Sequence, residues 1–343
     1  MSGGVDSSVA AALLVEEGHE VVGVTMRLLA APDAESGCCS AAAARDAKRV
    51  CHALGIPHYT MDFRDTFSRE VAAPFAEAYA VGRTPNPCVA CNDRVKFDEL
   101  LRRCLAAGAE GLATGHYARI VEDPAGKRWL VRGADAGKDQ SYFLYRMTSE
   151  HLALARFPVG GLTKDRVRRI AAERALPTAE KPDSQEICFV PDDDYGAFVA
   201  QAYPGALTPG PVLDTAGRVV GEHGGLARYT VGQRRGLGGG ADRRRYVVAL
   251  LPERNAVVVG EARELEAREL VADDVVWRAG AAERGGVAIR HRARPVPGLI
   301  RLGEDGTLRI ALDEPVVGAA PGQSVVCYAG ERVLGGGVLR EAR

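Results

Sequence analysis

The sequence lacks any run of 18 consecutive apolar residues, and it does not open on a basic segment followed by an apolar stretch. These absences argue against a transmembrane helix and against a secretion signal. It also lacks a charge excess: 44 Lys and Arg stand against 45 Asp and Glu, so no overall positive field attracts nucleic acid or a membrane. We therefore expect a cytoplasmic protein with no membrane partner.

Aromatic residues are few, at 6%, and the eight cysteines have no secretory context. Reduced thiols are therefore expected rather than a disulfide framework. Hydrophobic residues nevertheless make up 46% and charged residues 26%, which is ordinary for a globular protein and excludes disorder as the main theme. The chain of 343 residues is about twice the length of an average domain, which predicts more than one domain.

Helical and strand patterns alternate over the first part of the chain. Helices are predicted near 7–17, 42–54 and 95–107, and strands at 21–26, 58–63 and 111–116. This alternation predicts an α/β domain with a parallel sheet covered on both faces.

A further helical segment is predicted from about residue 149 to 200. From about residue 205 the pattern changes to short strands punctuated by Gly and Pro, which is typical of small β-barrels. We expect three domains, over 1–204, 205–265 and 266–343, with the last a C-terminal barrel.

Residues 2–8 read SGGVDSS and run directly into a helical pattern. The glycines let the backbone turn closely around a phosphate, the serines add donors, and the helix N-terminus favours an anion. The GxxxxGK[ST] motif is absent, so no Walker lysine reaches a γ-phosphate. Asp6 would repel phosphate unless a cation intervenes, which suggests Mg²⁺ coordination or main-chain support as its role.

SGGVDSS resembles the PP-loop of the ATP pyrophosphatases, which cleave ATP to AMP and pyrophosphate while adenylating an oxygen of their substrate. In that superfamily a β-strand runs into the loop, whereas only Met1 precedes Ser2 here. We expect a true start about ten residues upstream, because a sheet without this strand leaves buried backbone groups unpaired. The chain as it stands is expected to fold weakly.

Cys88 and Cys91 form a CxxC motif in RTPNPCVACND, where a helix is expected to begin near Asn92. A helix dipole favours the thiolate, which makes Cys91 a reasonable nucleophile. Cys188 lies far along the chain in KPDSQEICF, where a lone cysteine is structural more often than not. The vicinal pair Cys38 and Cys39 is assigned no catalytic role.

Seven segments come in the order found in the tRNA-specific 2-thiouridylases of the MnmA/TrmU type: SGGVDSS, GCCS, GRTPNPCVACN, ATGHYAR, KDQSYFL, KPDSQEICF and YTVGQRRGLG. The similarity covers essentially the whole chain, and the cysteine segments separate it from other PP-loop enzymes. This resemblance implies ATP-dependent 2-thiolation of the wobble uridine 34 of tRNA by adenylation of O2 and sulfur transfer. It also implies a cysteine desulfurase or a sulfur-relay protein as the sulfur donor.

The resemblance further implies roles for individual residues. ATP would be bound by Ser2, Gly3, Gly4, Val5, Asp6, Ser7, Met26 and Gly115. The target base would meet Asn86, Pro87 and Cys88. Further contacts with tRNA would come from His116, Lys138, Asp139, Gln140, Arg290, His291 and Gln323. Cys188 would carry the sulfur as a persulfide, and Cys91 would release it and leave a Cys91–Cys188 disulfide.

Cys88 departs from the family pattern, since many members carry Asp at that place. With Cys91 and Cys188 it provides three thiolates, so a [4Fe–4S] cluster with one open iron is an alternative route for the sulfur. Zinc fits less well because no fourth ligand is evident. A PP-loop enzyme that adenylates a small molecule is the alternative function, and it would release pyrophosphate without tRNA.

Several cationic groups are candidate RNA contacts, although each could equally form a solvated surface. They are Lys164, Arg166, Arg168 and Arg169 on one predicted helix, the group Arg228, Arg234 and Arg235, and the run 243–245.

Overall fold

A computed structural model describes residues 1–29, 41–182, 187–190, 194–237 and 245–343. Cys38, Cys39, Arg243 and Arg244 lie outside the described residues. The chain divides into two compact units. Unit 1 comprises 1–72, 88–193 and 331–333, and unit 2 comprises 73–87, 194–330 and 334–343.

Unit 1 begins with helix α1 (Val5–Glu16), followed by strand β1 (Gly23–Arg27), helix α2 (Ala41–Ala53) and strand β2 (His58–Asp62). β1 and β2 pair in parallel, with Gly23 opposite His58. A second parallel pair joins β3 (Leu112–Ala113) to β6 (Ala155–Arg156). The predicted α/β pattern is confirmed, although the apolar run at 111–116 contributes only the two residues of β3.

The helices that follow β2 are α3 (Arg64–Phe67), α4 (Ala73–Ala80), α5 (Pro87–Ala90) and α6 (Leu101–Ala106). Between α5 and α6 the backbone stays helical, in π-helical turns over Cys91–Leu100. The expectation of a helix starting near Asn92 is therefore wrong. Helical backbone begins at Pro87, because the fixed φ of proline suits the first position of a helix. Cys88 lies in the first turn, and Cys91 lies beyond it.

The antiparallel strands β4 (Ala118–Glu122) and β5 (Arg128–Arg132) also belong to unit 1. The helical segment expected over 149–200 is divided into α7 (Ser149–Leu154), α8 (Lys164–Glu173) and α9 (Tyr195–Ala202). α8 packs against α1 through a buried cluster that includes Val9, Tyr117 and Val167. This contact brings the start of α8 towards the start of α1.

Unit 2 contains a four-stranded sheet of β7 (Gly210–Asp214), β8 (Val219–His223), β9 (Tyr246–Leu251) and β10 (Ala256–Gly260), in the order β8-β7-β10-β9. α4 and α9 pack together in the same unit through aromatic rings. Tyr79 stacks on Tyr195 with centroids 6.0 Å apart.

The last six strands of the chain close into a barrel. They are β11 (Glu266–Trp277), β12 (Ala282–Ala288), β13 (Val296–Leu302), β14 (Leu308–Val317), β15 (Ser324–Ala329) and β16 (Arg332–Ala342). Their order is β11-β14-β13-β12-β15-β16, and pairing of β11 with β16 completes the ring. Alternate residues such as Ile300, Leu308 and Val325 fill the interior. The predicted C-terminal barrel is confirmed.

Cys51, Cys104 and Cys327 are buried. Burial raises the pKa of each of these thiols, which keeps them protonated and unreactive. Across the described ranges, every helix is too short or too polar to cross a bilayer.

Candidate active site

The SGGVDSS segment forms a tight turn ahead of α1. Gly3 has a φ of 69°, and a side chain there would collide with the carbonyl of Ala43, so only glycine fits. The Ser2 and Ser7 hydroxyl oxygens lie 3.1 Å apart, and the Ser7 hydroxyl donates to the Gly4 carbonyl at 3.1 Å. The turn is thus closed by its own hydroxyls, and the first N–H groups of α1 point to where an anion would bind.

A buried pair of hydroxyls supports this turn from within unit 1. The Ser8 hydroxyl donates to the Gly4 carbonyl at 2.8 Å, and the Thr178 hydroxyl donates to Ser8 Oγ at 2.9 Å. Both side chains are buried, and their mutual hydrogen bond offsets the desolvation cost. Thr178 was not expected at this site, because nothing in its local sequence connects it to a turn 170 residues away.

Two positions predicted to bind adenosine lie at or just beyond the carboxyl ends of parallel strands, where open α/β sheets bind ligands. Gly115 follows β3 and lies against the turn: a Cβ there would be 2.6 Å from the Ser7 nitrogen and 2.7 Å from the Asp6 carbonyl carbon. Met26 is half-buried in β1 and pairs in register with Met61 of β2.

The Asp6 carboxylate is held by two side chains from distant parts of unit 1. Lys164 Nζ donates to Oδ1 at 2.7 Å and to Oδ2 at 2.9 Å, and the Tyr117 hydroxyl donates to Oδ1 at 2.6 Å. The Asp6 carboxylate thus contacts other side chains, not the main chain of the turn. Lys164 is buried, so it is not part of a solvated surface, which was the alternative interpretation of this cationic helix. Arg166 and Arg169, on the same helix, are exposed.

His116 follows Gly115 and is neutral at pH 7. Burial, followed by the positive charge of Lys96, lowers the pKa of its imidazole well below the usual 6.5. Its Nδ1 lies 2.7 Å from the Thr114 hydroxyl, and its ring packs near Phe97 and Phe157. A contact with RNA through this ring would use hydrogen bonding or stacking rather than charge.

The segment Lys138, Asp139, Gln140 is partly used by the fold itself. Asp139 Oδ1 accepts from the Gly133 and Ser141 amides at 3.0 Å each, and Gln140 Oε1 accepts from the Tyr117 amide at 3.0 Å. These contacts fix the chain around Tyr117, and Lys138 beside them is half-buried.

Cys88 is exposed and Cys91 is half-buried. Since the field of a helix N-terminus fades beyond the first turn, it acts on Cys88 more than on Cys91. Residues next to Cys91 hold its position. The Asn92 side-chain Nδ2 donates to the Phe143 carbonyl at 3.2 Å, and Asp93 forms an ion pair with Arg146 at 2.7 Å.

Cys188 is half-buried, and its neighbour Phe189 packs edge-on against Phe67 of α3 with ring centroids 5.3 Å apart. α3 also contacts the π-helical turns that carry Cys91. The two thiols predicted to handle sulfur therefore belong to segments that share α3 as a neighbour. An ion pair of 2.6 Å between Lys181 and Asp46 links the segment before Cys188 to α2.

The three cysteines proposed for an iron–sulfur cluster are not gathered into a metal site. Over the part of the chain that the structure describes, no three side chains of His, Cys, Asp or Glu form a group able to hold a metal ion.

In unit 2, two segments predicted to meet tRNA are joined by a backbone hydrogen bond. The Thr84 amide, in the loop that carries Asn86, donates at 2.9 Å to the carbonyl of Pro321, two residues before Gln323. Asn86 is half-buried and Pro87 is buried.

The other two predicted tRNA contacts of unit 2 lie just after β12. Arg290 is exposed and donates to the Val317 carbonyl at 3.2 Å. His291 beside it is half-buried.

Family models match the chain in three consecutive stretches. A tRNA methyl transferase HUP domain matches residues 1–192, a tRNA methyl transferase PRC-barrel domain matches 196–261, and an aminomethyltransferase beta-barrel domain matches 267–339. The fold and the glycine-rich turn thus define an α/β HUP domain followed by two β-barrel domains.

Curated relatives narrow this class. The tRNA-specific 2-thiouridylase MnmA of Heliobacterium modesticaldum is 49% identical over 99% of this chain and 91% of its own. The proteins of the same name from Moorella thermoacetica and Symbiobacterium thermophilum are 49% and 50% identical, over 99% and 100% of this chain and 98% and 91% of theirs. The chain belongs to the tRNA-specific 2-thiouridylase (MnmA) family.

Among solved structures, the NMN synthetase of Francisella tularensis aligns with 53% of this chain and 63% of its own, at 19% identity. Its TM-score of 0.33 is too low to bear on the fold.

Proposed function

We propose that this chain is an ATP-dependent sulfurtransferase that converts the wobble uridine 34 of tRNA to 2-thiouridine. The observation that carries the proposal is the combination, within unit 1, of an anion-binding turn with Cys91 and Cys188 on two segments that share α3. Full-length similarity to enzymes named tRNA-specific 2-thiouridylase supports the choice of substrate.

The first step is adenylation of the uridine. O2 attacks the α-phosphorus of ATP, the bond from that phosphorus to pyrophosphate breaks, and O2 becomes part of an AMP ester that can leave. The N–H groups at the start of α1 and the hydroxyls of Ser2 and Ser7 would bind the phosphates and stabilise the charge that develops on them. Mg²⁺ would arrive with the nucleotide, because the Asp6 carboxylate already accepts from Lys164 and Tyr117.

The second step is sulfur transfer from a persulfide on Cys188, delivered by a cysteine desulfurase or a relay protein. The terminal sulfur attacks C2, and AMP departs with O2. The Cys91 thiolate then attacks Cys188 Sγ, which breaks the sulfur–sulfur bond and releases 2-thiouridine. The resulting Cys91–Cys188 disulfide takes two electrons from an external thiol reductant before the next cycle.

A single-turnover assay with unmodified tRNA, ATP, a desulfurase and cysteine tests the proposal. Wild-type protein should form 2-thiouridine. Cys188→Ser and Cys91→Ser should form none while still binding tRNA and ATP, and Cys88→Ser should keep most activity. Loss of activity in all three variants, with about four irons per chain after anaerobic purification, would replace the persulfide by the cluster route. Release of pyrophosphate without tRNA would favour the adenylation of a small molecule.

The proposal assigns the chemistry and the binding of tRNA to different domains, which span 1–204, 205–265 and 266–343. The family matches to 1–192, 196–261 and 267–339 support these limits to within about 12 residues. In this scheme the first domain performs the chemistry in the cytoplasm. The final barrel binds tRNA through Arg290, His291 and Gln323.

A further inference from the structure

A buried lysine reaches the anion-binding turn from a helix far along the chain. Lys164 is the first residue of α8, its side chain is 9% exposed, and its Nζ lies 2.7 and 2.9 Å from the two carboxylate oxygens of Asp6. Tyr117 donates to the same carboxylate at 2.6 Å. Asp6 therefore accepts hydrogen bonds from two side chains that lie more than 100 residues further along the chain.

The Lys164 side chain does not occupy this position because it stabilises α8. A cation in the first turn of a helix is opposed by the helix dipole, and a buried ion pair gains little over an apolar pair of the same size. The start of α8 is already fixed by other groups: the Thr163 hydroxyl accepts from the Arg166 amide at 3.3 Å, and Asp135 accepts from the Lys164 amide at 2.9 Å. The role of the Lys164 side chain therefore lies at the turn.

Electrostatics of the turn indicate that role. Asp6 is the second residue of α1, among the N–H groups that would receive phosphates. Without a partner, a carboxylate about 6 Å from a phosphate would weaken its binding on the order of a hundredfold. We propose that Lys164 is a positioning residue that cancels the charge of Asp6 and, with Tyr117, fixes its carboxylate, so that the turn accepts the phosphates of ATP. The inference rests on the proposed function, because it concerns the same turn.

The test is binding of α,β-methylene-ATP with Mg²⁺, measured by calorimetry on the full chain without tRNA. Lys164→Met should weaken binding about ten- to a hundredfold, because it leaves the Asp6 charge uncompensated. Lys164→Arg should bind at least about threefold more tightly than Lys164→Met, because it keeps the charge. The double variant Asp6→Asn, Lys164→Met should bind at least about threefold more tightly than Lys164→Met, since it removes the charge that the lysine no longer cancels. Lys48→Met, which removes an exposed lysine of α2, is the matched control.

The double variant separates charge cancellation from direct contact. If Lys164 itself held a phosphate, the double variant would bind as weakly as Lys164→Met, and that result would overturn the inference. Wild-type affinity in Lys164→Met would overturn it as well. Should Lys164→Met fail to fold, the double variant still decides, because it carries no buried charge that lacks its partner. An affinity more than about a hundredfold below wild type in the double variant would overturn the inference.

Two further readouts separate this inference from the proposed function and from a role in RNA binding. Wild-type protein that binds the nucleotide analogue but forms no 2-thiouridine would contradict the proposed function alone. Failure of wild-type protein to bind the analogue would overturn both. Affinity for tRNA should be unchanged in Lys164→Met, and a parallel loss of tRNA affinity would place the lysine at the RNA instead.

Discussion

Gly115 lies so close to Ser7 that a Cβ built on it would be 2.6 Å from the Ser7 nitrogen. The segment after β3 therefore touches the backbone of the SGGVDSS turn, and the absence of a side chain makes this approach possible. The two residues are separated by 108 positions, so the contact exists only in the folded chain.

Gly115→Ala should displace the turn, because the added methyl group overlaps backbone that cannot rotate away. We expect the affinity for α,β-methylene-ATP to fall at least about tenfold and the free energy of unfolding to fall by about 1–3 kcal/mol. Calorimetry and denaturant unfolding measure the two effects. Gly161→Ala, where a Cβ meets open space, is the control and should leave both quantities near wild type. Unchanged nucleotide affinity in Gly115→Ala would show that the turn does not bind the phosphates.

The ion pair next to Cys91 should contribute to stability more than surface pairs do. Asp93 and Arg146 side chains are only 15% and 12% exposed. Arg146→Met should lower the free energy of unfolding by about 1–3 kcal/mol, because it leaves a largely buried carboxylate with only the exposed Arg94, 3.4 Å away, as its cation. Arg102→Met, which breaks the exposed pair with Glu99, should cost at most about 1 kcal/mol.

The double variant Asp93→Asn, Arg146→Met provides the internal check on this ion pair. It should recover much of the loss of Arg146→Met, since no uncompensated charge remains. Denaturant unfolding of the four proteins gives the coupling energy. Additive losses would mean that the two side chains act independently.

His116 should make stability depend on pH below neutrality. Its pKa is held well below 6.5 in the folded state by burial and then by Lys96, so the unfolded chain binds more protons as the pH falls. The contribution is complete above about pH 6.5 and is lost progressively as the pH falls below that, at up to about 1.4 kcal/mol per pH unit. His116→Gln should reduce this slope, as measured by unfolding between pH 5 and 8. An unchanged slope would contradict a buried neutral ring.

His58 adds to the same trend, since burial lowers its pKa too. The slope should therefore fall only in part in His116→Gln. The double variant His58→Gln, His116→Gln should be flatter than either single variant, and a double variant no flatter than His116→Gln would exclude His58 as a contributor.

Packing of Phe189 on Phe67 should hold Cys188 in position for sulfur transfer. Phe189→Ala should slow single-turnover thiolation at least about tenfold, because misplacement of a reacting group by about 1 Å is costly. Affinity for the ATP analogue should stay within about twofold, since the anion-binding turn is formed by other residues. Tyr59→Ala, which removes an exposed ring of β2, is the control. Loss of nucleotide affinity in Phe189→Ala would indicate general unfolding instead.

The fold was largely predictable because its signals are local. Alternating helical and strand patterns predicted the α/β part, and short strands punctuated by Gly and Pro predicted the barrel, whose interior holds residues such as Ile300 and Leu308. The start of the helix that carries the CxxC motif was not predicted. The prolines of RTPNP suggest an extended loop, yet Pro87 opens the helix, and the sequence alone does not decide between these two uses of proline.

The sequence by itself determined that a glycine-rich turn precedes α1, because Gly3 and the serines dictate local backbone geometry. Only the tertiary structure decided what surrounds Asp6. Lys164 belongs to a helix whose charges suggest a solvated surface, and its packing on α1 turns this one lysine inward. The pairing of Lys164 with Asp6 depends on which apolar faces meet across 158 residues, and no local pattern in the sequence predicts that pairing.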